Sequence, residues 1–175
     1  MYPSDIDGDT DVDVAIAAFE DDAVAWYEND GSAIAPVFAP RSIASSVEGS
    51  TSVFVYDVDG DGDLDALSAS SKDDTVAWYE NDGSQVFSQR VLTAAASFAK
   101  SVAAVDIDGD ADVDVVSAAG SDDTVTWHEN DGAQSFTAVS LTTSLDGACA
   151  VYLEDVDGDS HVDVLAAGYL SLIHI

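Results

Sequence analysis

A single acidic string recurs four times along the chain, and this recurrence constrains the fold more than any other feature of the sequence. The string reads Asp-x-Asp-Gly-Asp-x-x-x-Asp, and it begins at Asp5, Asp57, Asp106 and Asp155, at intervals of 52, 49 and 49 residues. A second string, Trp-Tyr-Glu-Asn-Asp-Gly with His for Tyr in its third copy, begins at Trp26, Trp78 and Trp127. A repeat period near 50 residues is typical of architectures in which each unit buries its faces against its neighbours.

Each repeat is predicted to consist of β-strands alone. In the second repeat, β-branched, aromatic and small residues are concentrated over 52–56, 64–70, 75–80 and 86–92. No stretch shows a sustained apolar period of 3.6 residues, so helices should be nearly absent. Four short antiparallel strands in about 50 residues correspond to one blade of a β-propeller. The predicted fold class is therefore all-β, a β-propeller of four-stranded antiparallel blades.

Short polar pairs between the strands predict the turns. Asp82-Gly83, which recurs as Asp30-Gly31 and Asp131-Gly132, predicts a tight hairpin with positive φ at both residues. Asp73-Asp74 predicts a second turn, between the second and third strands of the repeat. Its copies are Asp21-Asp22 and Asp122-Asp123. Turn chemistry accounts for these acidic pairs, although an additional contribution to calcium binding stays open.

The acidic strings have the chemistry of a site for a hard cation. In a tight loop, the side chains at positions 1, 3, 5 and 9 and the carbonyl at position 7 surround one point, which gives an all-oxygen cage of Ca²⁺ size. Two carboxylates about 5 Å apart repel by roughly 3 kcal/mol at an effective dielectric constant near 20, so the cage favours a bound dication. A solvated turn is the alternative, but four copies in phase favour the metal. An EF-hand fits less well, because it needs Glu at position 12 and flanking helices.

The acidic repeat resembles the FG-GAP-like, VCBS-type repeat of integrin-α-like β-propellers, from Asp5 to about Gly168. This resemblance implies a calcium loop between the first and second strands of each blade, and a complete ring of seven blades. The literal Phe-Gly and Gly-Ala-Pro elements of the integrin version are absent. Contacts specific to integrin ligands or integrin heterodimers therefore do not transfer to this chain.

The same resemblance implies which residues would bind calcium, at up to four structural sites. The side-chain ligands carried over are Asp5, Asp7, Asp9 and Asp13; Asp57, Asp59, Asp61 and Asp65; Asp106, Asp108, Asp110 and Asp114; and Asp155, Asp157, Asp159 and Asp163. The position-7 residues, whose carbonyls would coordinate, are Asp11, Asp63, Asp112 and His161. Position 6 is Gly62 in the second loop but Thr10, Ala111 and Ser160 in the others. A requirement for positive φ at that position would strain the three non-glycine loops.

The repeats divide the chain into blades of unequal completeness. Residues 1–50 and 148–169 are predicted as partial blades, and residues 51–100 and 101–147 as whole ones, each with a calcium loop. Residues 170–175 resemble the in-frame translation of a transposon end used to tag sequencing libraries, and they are interpreted as a non-native tail. About two whole and two partial blades suggest a fragment of a seven-bladed ring. An open arc that closes by association with other copies is the alternative.

Charge excludes several classes of partner. The 175 residues include 35 Asp and Glu against 4 Lys and Arg, for a formal net charge of −31. Nucleic acids and anionic membrane surfaces need clustered basic residues, so neither is a predicted partner. A single cysteine, Cys149, allows no intrachain disulfide and no thiolate metal cluster.

The predicted function is that of a calcium-binding propeller module, extracellular or at the cell surface, that acts as an adhesion or interaction scaffold. Its expected partners are an unidentified protein or carbohydrate and the remaining blades of the same chain. The alternative is a non-catalytic part of a secreted propeller-type enzyme that acts on polysaccharides, a lyase or hydrolase. No catalytic residue is predicted, since the sequence shows no non-repeating cluster of His, Lys, Arg or Tyr.

Other recurring residues have structural interpretations. The tryptophans are predicted to pack between blades, which repetition favours over a platform for stacking sugars. The glutamates Glu28, Glu80 and Glu129 are expected to tie hairpins or to face solvent. His128, which replaces the tyrosine of the other copies, is predicted to be a surface substitution.

Overall fold

The computed structural model of the chain describes residues 1–169 and the backbone of residues 172–174. These residues form fifteen short strands. In chain order the strands are β1 (Tyr2–Ser4), β2 (Asp13–Ala18), β3 (Ala23–Asn29), β4 (Phe38–Ala44), β5 (Ser50–Tyr56), β6 (Asp65–Ser70), β7 (Thr75–Asn81), β8 (Phe87–Thr93), β9 (Ala99–Val105), β10 (Asp114–Ala119), β11 (Thr124–Asn130), β12 (Phe136–Thr142), β13 (Ala148–Glu154), β14 (Asp163–Gly168) and β15 (Leu172–His174).

The strands form four antiparallel sheets, each a meander in chain order. The first sheet contains β1–β4, the second β5–β8, the third β9–β12 and the fourth β13–β15. The prediction of an all-β fold built from repeated four-stranded blades is confirmed, and the described sheets do not close into a ring. The described residues include no helix that is long and apolar enough to cross a membrane.

The sheets pack face to face, and the core is divided among the spaces between them. One cluster joins Trp26 of the first sheet to Val53 and Val55 of the second. A second cluster joins Trp78 to Val102 and other residues of the third sheet. Trp26 is 1% exposed and Trp78 is fully buried, so the predicted packing of tryptophan between blades is confirmed for both.

Burial within a sheet follows the position of the strand. All six residues of β6 and of β10 are buried, because these strands are covered by a neighbouring sheet on both faces. The fourth strands β4 and β8 are mostly exposed at the outer edge, and β12 has no buried residue. Small residues dominate the buried second strands, where Ala69 and Ala118 lie in the clusters between sheets.

The turn between the third and fourth strands differs from its prediction. Asp82 does not have positive φ; Gly83 does, at +76°, together with Gln85, at +58°. β7 ends at Asn81 and β8 begins at Phe87, so the connection is longer than a two-residue hairpin. The Asp82 carboxylate instead accepts hydrogen bonds from main-chain amides within the turn, at 2.9 Å for Ser84. Asp82 therefore stabilises the turn through its side chain, and it does not adopt the predicted left-handed backbone conformation.

The prediction that His128 lies on the surface is wrong. His128 is 2% exposed, and its Nε2 lies 3.0 Å from the Oγ of Ser117 on the neighbouring strand. The equivalent pair in the second sheet is the Tyr79 hydroxyl and Ser68 Oγ, at 3.2 Å. The histidine therefore occupies a buried site that receives a tyrosine in the preceding repeat.

The strand limits give the extent of each sheet. The first three sheets span residues 2–44, 50–93 and 99–142, and the fourth begins at residue 148. Of the predicted non-native tail at 170–175, residues 170, 171 and 175 lie outside the described residues. The backbone of 172–174 pairs with β14.

Candidate metal centres

Each acidic loop joins the first strand of its sheet to the second. In the second sheet the chain leaves β5 at Tyr56 and enters β6 at Asp65. The first carboxylate of the loop, Asp57, accepts hydrogen bonds from the amides of Gly60 at 2.8 Å and Gly62 at 3.0 Å. This side chain therefore closes the loop, and its two acceptor oxygens lie inside the curve of the backbone.

The next two carboxylates continue this pattern. Oδ1 of Asp59 accepts the amide of Asp61 at 3.3 Å, and Oδ1 of Asp61 accepts the amide of Asp63 at 2.9 Å. The other loops repeat both contacts, from Asp9 to Asp7 and Asp11 to Asp9, from Asp110 to Asp108 and Asp112 to Asp110, and from Asp159 to Asp157 and His161 to Asp159. These side-chain-to-backbone contacts turn alternate residues toward the same side of the loop.

The ninth position is the buried anchor of the loop. Asp65 is 1% exposed; its Oδ2 accepts the amide of Val58 at 3.0 Å and its Oδ1 accepts the amide of Asn81 at 2.8 Å. Asp13 and Asp114 make the same pair of contacts. In the fourth loop, Asp163 accepts the amide of Val156 at 2.9 Å. One carboxylate thus holds the start of the loop and the end of the third strand.

The loops gather three carboxylates each, with one oxygen of every member within 4.8 Å of the others. The gathered sets are Asp5, Asp7 and Asp13; Asp57, Asp59 and Asp61; Asp106, Asp108 and Asp114; and Asp155, Asp157 and Asp163. The sets of the first, third and fourth loops therefore contain positions 1, 3 and 9, and leave out Asp9, Asp110 and Asp159. The set of the second loop contains position 5 and leaves out Asp65.

The position-7 side chains lie against a different part of the sheet. A Cβ placed on Gly83 would lie 2.5 Å from Oδ2 of Asp63, and a Cβ on Gly132 would lie 2.5 Å from Oδ2 of Asp112. Asp11 contacts Gly31 in the same way. These glycines belong to the turn between the third and fourth strands, so the acidic loop and this turn are packed together. His161, at the same position of the fourth loop, is exposed.

Burial and like charge disfavour the ionised carboxylates in the absence of a cation. Burial raises the pKa of Asp65 to about 6, against the opposing effect of its hydrogen bonds from Asn81 and Val58. Burial likewise raises the pKa of Asp114, and the charge of Asp108 adds to that rise. The pKa of Asp59 is also raised, first by burial and then by the charge of Asp61.

The donors fit a hard divalent cation. Oδ1 of Asp5 is buried and has no hydrogen-bond partner among the described residues, although Oδ2 of the same carboxylate accepts the amide of Thr10. An unpaired carboxylate oxygen inside a protein is costly unless a cation or donor satisfies it. Ca²⁺ prefers carboxylate and carbonyl oxygens, which are the groups that the gathered sets offer. The clusters could therefore hold metal ions.

Position 6 has positive φ in every loop. The angle is +97° at Gly62, +80° at Thr10, +76° at Ala111 and +71° at Ser160. Only glycine adopts this region without a steric penalty, so the first, third and fourth loops carry the strain that the sequence indicated.

Two sets of recurring residues do more than the sequence indicated. The second member of each acidic pair binds the segment that leads into the next sheet. The amides of Gly49, Phe98 and Gly147 donate to Oδ1 of Asp22, Asp74 and Asp123, at 2.9, 2.8 and 2.8 Å. The other set is the asparagine of the Trp string, Asn29, Asn81 and Asn130, which bonds both the acidic loop and the turn of its own sheet. The repetition of both sets along the sequence indicates that they are constrained. It does not identify their partners, which lie at distant positions in the sequence.

The glutamates of the Trp string tie the third strand to the fourth where a base is available. Glu28 pairs with Arg41, and Glu80 pairs with Arg90. The guanidinium of Arg90 also lies 5.2 Å from the ring centre of Trp78. These ion pairs support the prediction that the glutamates tie hairpins.

Comparison with known proteins agrees with this geometry. The family described as FG-GAP-like repeat matches residues 5–68, 57–117 and 106–166, each match running from one acidic loop into the next repeat. No curated protein matches the chain. The matched segments together cover residues 5–166, which include all four acidic loops and most of the described strands. The chain therefore belongs to the FG-GAP-like repeat family.

Proposed function

We propose that the chain is a calcium-binding β-propeller module whose bound ions are structural, and that it serves outside the cell or at the cell surface as an interaction scaffold. The observation that carries the proposal is the gathering of three carboxylates at the same place in four successive sheets. A catalytic site would need an asymmetric group of residues, whereas a set of three carboxylates recurs in the same loop of every sheet.

Calcium would act on the fold through the loop that joins the first and second strands. Each loop concentrates negative charge, and the first three loops also bury the position-9 carboxylate, at Asp13, Asp65 and Asp114. A dication offsets both the repulsion and the cost of burying the charge. At a calcium concentration about 100 times Kd, each site would contribute roughly 2.7 kcal/mol to the free energy of unfolding.

The proposed location rests on family membership and charge. Extracellular calcium modules bind the ion with Kd values of about 10⁻⁴–10⁻³ M, which suits the calcium concentration outside cells. The net charge of −31 favours solubility in a saline exterior and disfavours polyanionic partners. The adhesion partner proposed here is therefore a protein or a carbohydrate that is neutral or basic.

Isothermal titration calorimetry on the EDTA-treated chain tests the proposal. We expect calcium to bind with Kd in the range of about 10⁻⁴–10⁻³ M, and to raise the melting temperature in parallel. Mg²⁺ at the same concentration is the control for general screening of charge. If calcium gives no measurable heat of binding, the proposed function is contradicted. A submicromolar Kd would contradict the extracellular assignment.

The scaffold role has its own test. The calcium-loaded chain would be applied to an array of immobilised neutral glycans, with heparin as the polyanionic control. Binding to a neutral glycan that EDTA abolishes would support recognition of carbohydrate by the calcium-stabilised fold. Binding to heparin would contradict the argument from charge.

A further inference from the structure

The asparagine of the Trp string lies between the acidic loop and the turn that joins the third and fourth strands. Asn81 is the last residue of β7, and it is 2% exposed. Its copies, Asn29 and Asn130, end β3 and β11. A primary amide buried to this extent needs partners for its donor and acceptor groups. Asn81 and its copies find those partners on two different segments.

The first group of contacts is made to the acidic loop. The main-chain amide of Asn81 donates to Oδ1 of Asp65 at 2.8 Å, and its side-chain Nδ2 donates to the carbonyl of Leu64 at 3.1 Å. The same two contacts recur at Asn29, with distances of 2.8 and 3.2 Å, and at Asn130, with distances of 2.8 and 3.1 Å. The asparagine thus holds positions 8 and 9 of each of these loops.

The second group of contacts is made to the turn. Oδ1 of Asn81 accepts the amide of Gly83 at 3.2 Å and the amide of Gln85 at 3.1 Å. These residues carry the positive φ angles of the turn. The corresponding contact from Gly31 to Asn29 and from Gly132 to Asn130 is 3.3 Å in both sheets. One side chain therefore bonds the loop through its nitrogen and the turn through its oxygen.

Asparagine suits this position for a chemical reason. Aspartate would supply the acceptor for the turn but no donor for the Leu64 carbonyl, and it would add a charge beside Asp65. Alanine would supply neither group. The turn also packs directly on the loop, because Asp63 reaches the space where a Cβ on Gly83 would lie. Movement of the loop is consequently resisted by the turn.

We propose that Asn81, with Asn29 and Asn130, is a positioning residue that transmits calcium occupancy of the acidic loop to the turn between the third and fourth strands. This inference rests on the proposed function, since it assigns a role to residues that do not themselves bind the ion. Bound calcium would hold the acidic loop in place, Asn81 ties positions 8 and 9 of that loop to the turn, and the turn would become ordered in a calcium-dependent way.

Amide hydrogen exchange of the full chain, followed by NMR in calcium and in EDTA, tests this coupling. The readout is the amide of Asp82, which donates to the carbonyl of Val86 inside the turn and makes no bond to the side chain of Asn81. In the wild-type chain, we expect removal of calcium to speed exchange at this amide by about tenfold. In Asn81→Ala, the ratio between the two conditions is expected to fall to near one at the amide of Asp82. It should stay at the wild-type value at the amide of Asp131, which donates to the carbonyl of Ser135 and serves as the matched internal control. Asn130→Ala should give the reverse pattern.

A purely structural role would speed exchange equally in both conditions and leave the ratio unchanged, which would overturn the proposal. Asp82→Ala provides that comparison, because it removes a cap inside the turn and leaves the link to the loop intact. If Asn81→Ala also loses protection at the amide of Asp131, the variant has unfolded. The smaller change Asn81→Ser then takes its place, and the same loss of the exchange ratio is expected. If calcium binds with measurable heat but the amide of Asp82 in the wild-type chain exchanges equally fast in both conditions, this inference alone is overturned. If calcium gives no measurable heat of binding, both this inference and the proposed function are contradicted.

Discussion

The carboxylate of Asp74 accepts a 2.8 Å hydrogen bond from the amide of Phe98, and so joins the turn of the second sheet to the segment that enters the third. The carbonyl of Asp74 accepts the amide of Ala96 at 2.9 Å, two residues earlier in the same segment. Asp22 and Asp123 make the equivalent contacts at the neighbouring junctions. Each pair of adjacent sheets is therefore fastened at its connecting segment as well as packed through its core.

The hydrogen bond between Asp74 and Phe98 predicts a specific loss of stability when its acceptor is removed. Asp74 has φ of +58°, which glycine adopts freely, so Asp74→Gly removes the acceptor without adding backbone strain. We expect the free energy of unfolding, measured by urea denaturation in calcium, to fall by about 1–2 kcal/mol. Asp74→Asn keeps an acceptor oxygen and tolerates the left-handed backbone, and it should remain close to wild type. Equal losses of unfolding free energy in the two variants would argue against a stabilising hydrogen bond between Asp74 and Phe98.

The sixth position of the acidic loops predicts opposite effects in two repeats. A methyl group at Gly62 meets no atom within 4 Å, so Gly62→Ala tests the backbone angle of +97° alone. We expect this change to lower the free energy of unfolding in calcium by about 1–2 kcal/mol. Ala111→Gly relieves the angle of +76° and should raise stability by up to about 1 kcal/mol, part of the relief being offset by the flexibility of glycine in the unfolded chain. Stability losses from both changes would contradict the assignment of strain.

His128 predicts a pH dependence that belongs to one residue. Burial lowers the pKa of His128 to about 4, below its ordinary value of 6.5. In the unfolded chain His128 binds a proton near pH 6.5, whereas in the folded chain it does so only near pH 4. The free energy of unfolding therefore decreases as the pH falls from 6.5 to about 4. The loss for this residue should reach roughly 3 kcal/mol.

The variant His128→Tyr isolates this effect. The substitution copies the buried Tyr79–Ser68 pair of the second sheet and carries no group that titrates between pH 4 and 7. The difference in stability between wild type and variant should therefore shift toward the variant as the pH falls through this range. The raised pKa of Asp65 acts in the opposite direction on both proteins and cancels in the comparison. A difference that stays constant with pH would contradict the buried, neutral histidine.

The ligand assignment predicts a contrast between two aspartates of one repeat. Asp61 belongs to the gathered set of the second loop, whereas Asp82 caps the neighbouring turn. Asp61→Ala should weaken one of four sites, and so reduce the calcium-dependent rise in melting temperature by roughly a quarter. Asp82→Ala should lower the melting temperature in calcium and in EDTA alike. Equal calcium responses from the two variants would count against Asp61 as a ligand.

The sequence predicted the features that each repeat contains within itself. The strand pattern, the acidic loop between first and second strands, and the buried tryptophans follow from local periodicity and from repetition. The turn after Asn81 was mispredicted, because an Asp-Gly pair signals a two-residue hairpin unless the neighbouring side chains cap a longer loop. The burial of His128 was missed because polarity suggested the surface, while alternation along β11 directs the side chain toward the second sheet.

The contacts of Asp74 and Asn81 were beyond prediction for a related reason. Their partners lie 24 and 16 residues away in sequence, at Phe98 and Asp65, and only the folded sheets bring them together. Repetition marked these residues as constrained but did not specify the constraint. The identity of the carboxylates that gather most closely also depends on the folded loop, since the second loop selects position 5 where the others select position 9.

A crystal structure of the chain grown in abundant calcium, with anomalous diffraction recorded to locate the ion, tests the central claim most directly. We predict an anomalous peak inside each acidic loop, with carboxylate oxygens at about 2.3–2.6 Å from it. Well-ordered loops without such peaks, and with the carboxylates of Asp57 and Asp59 turned outward to solvent, would contradict the account.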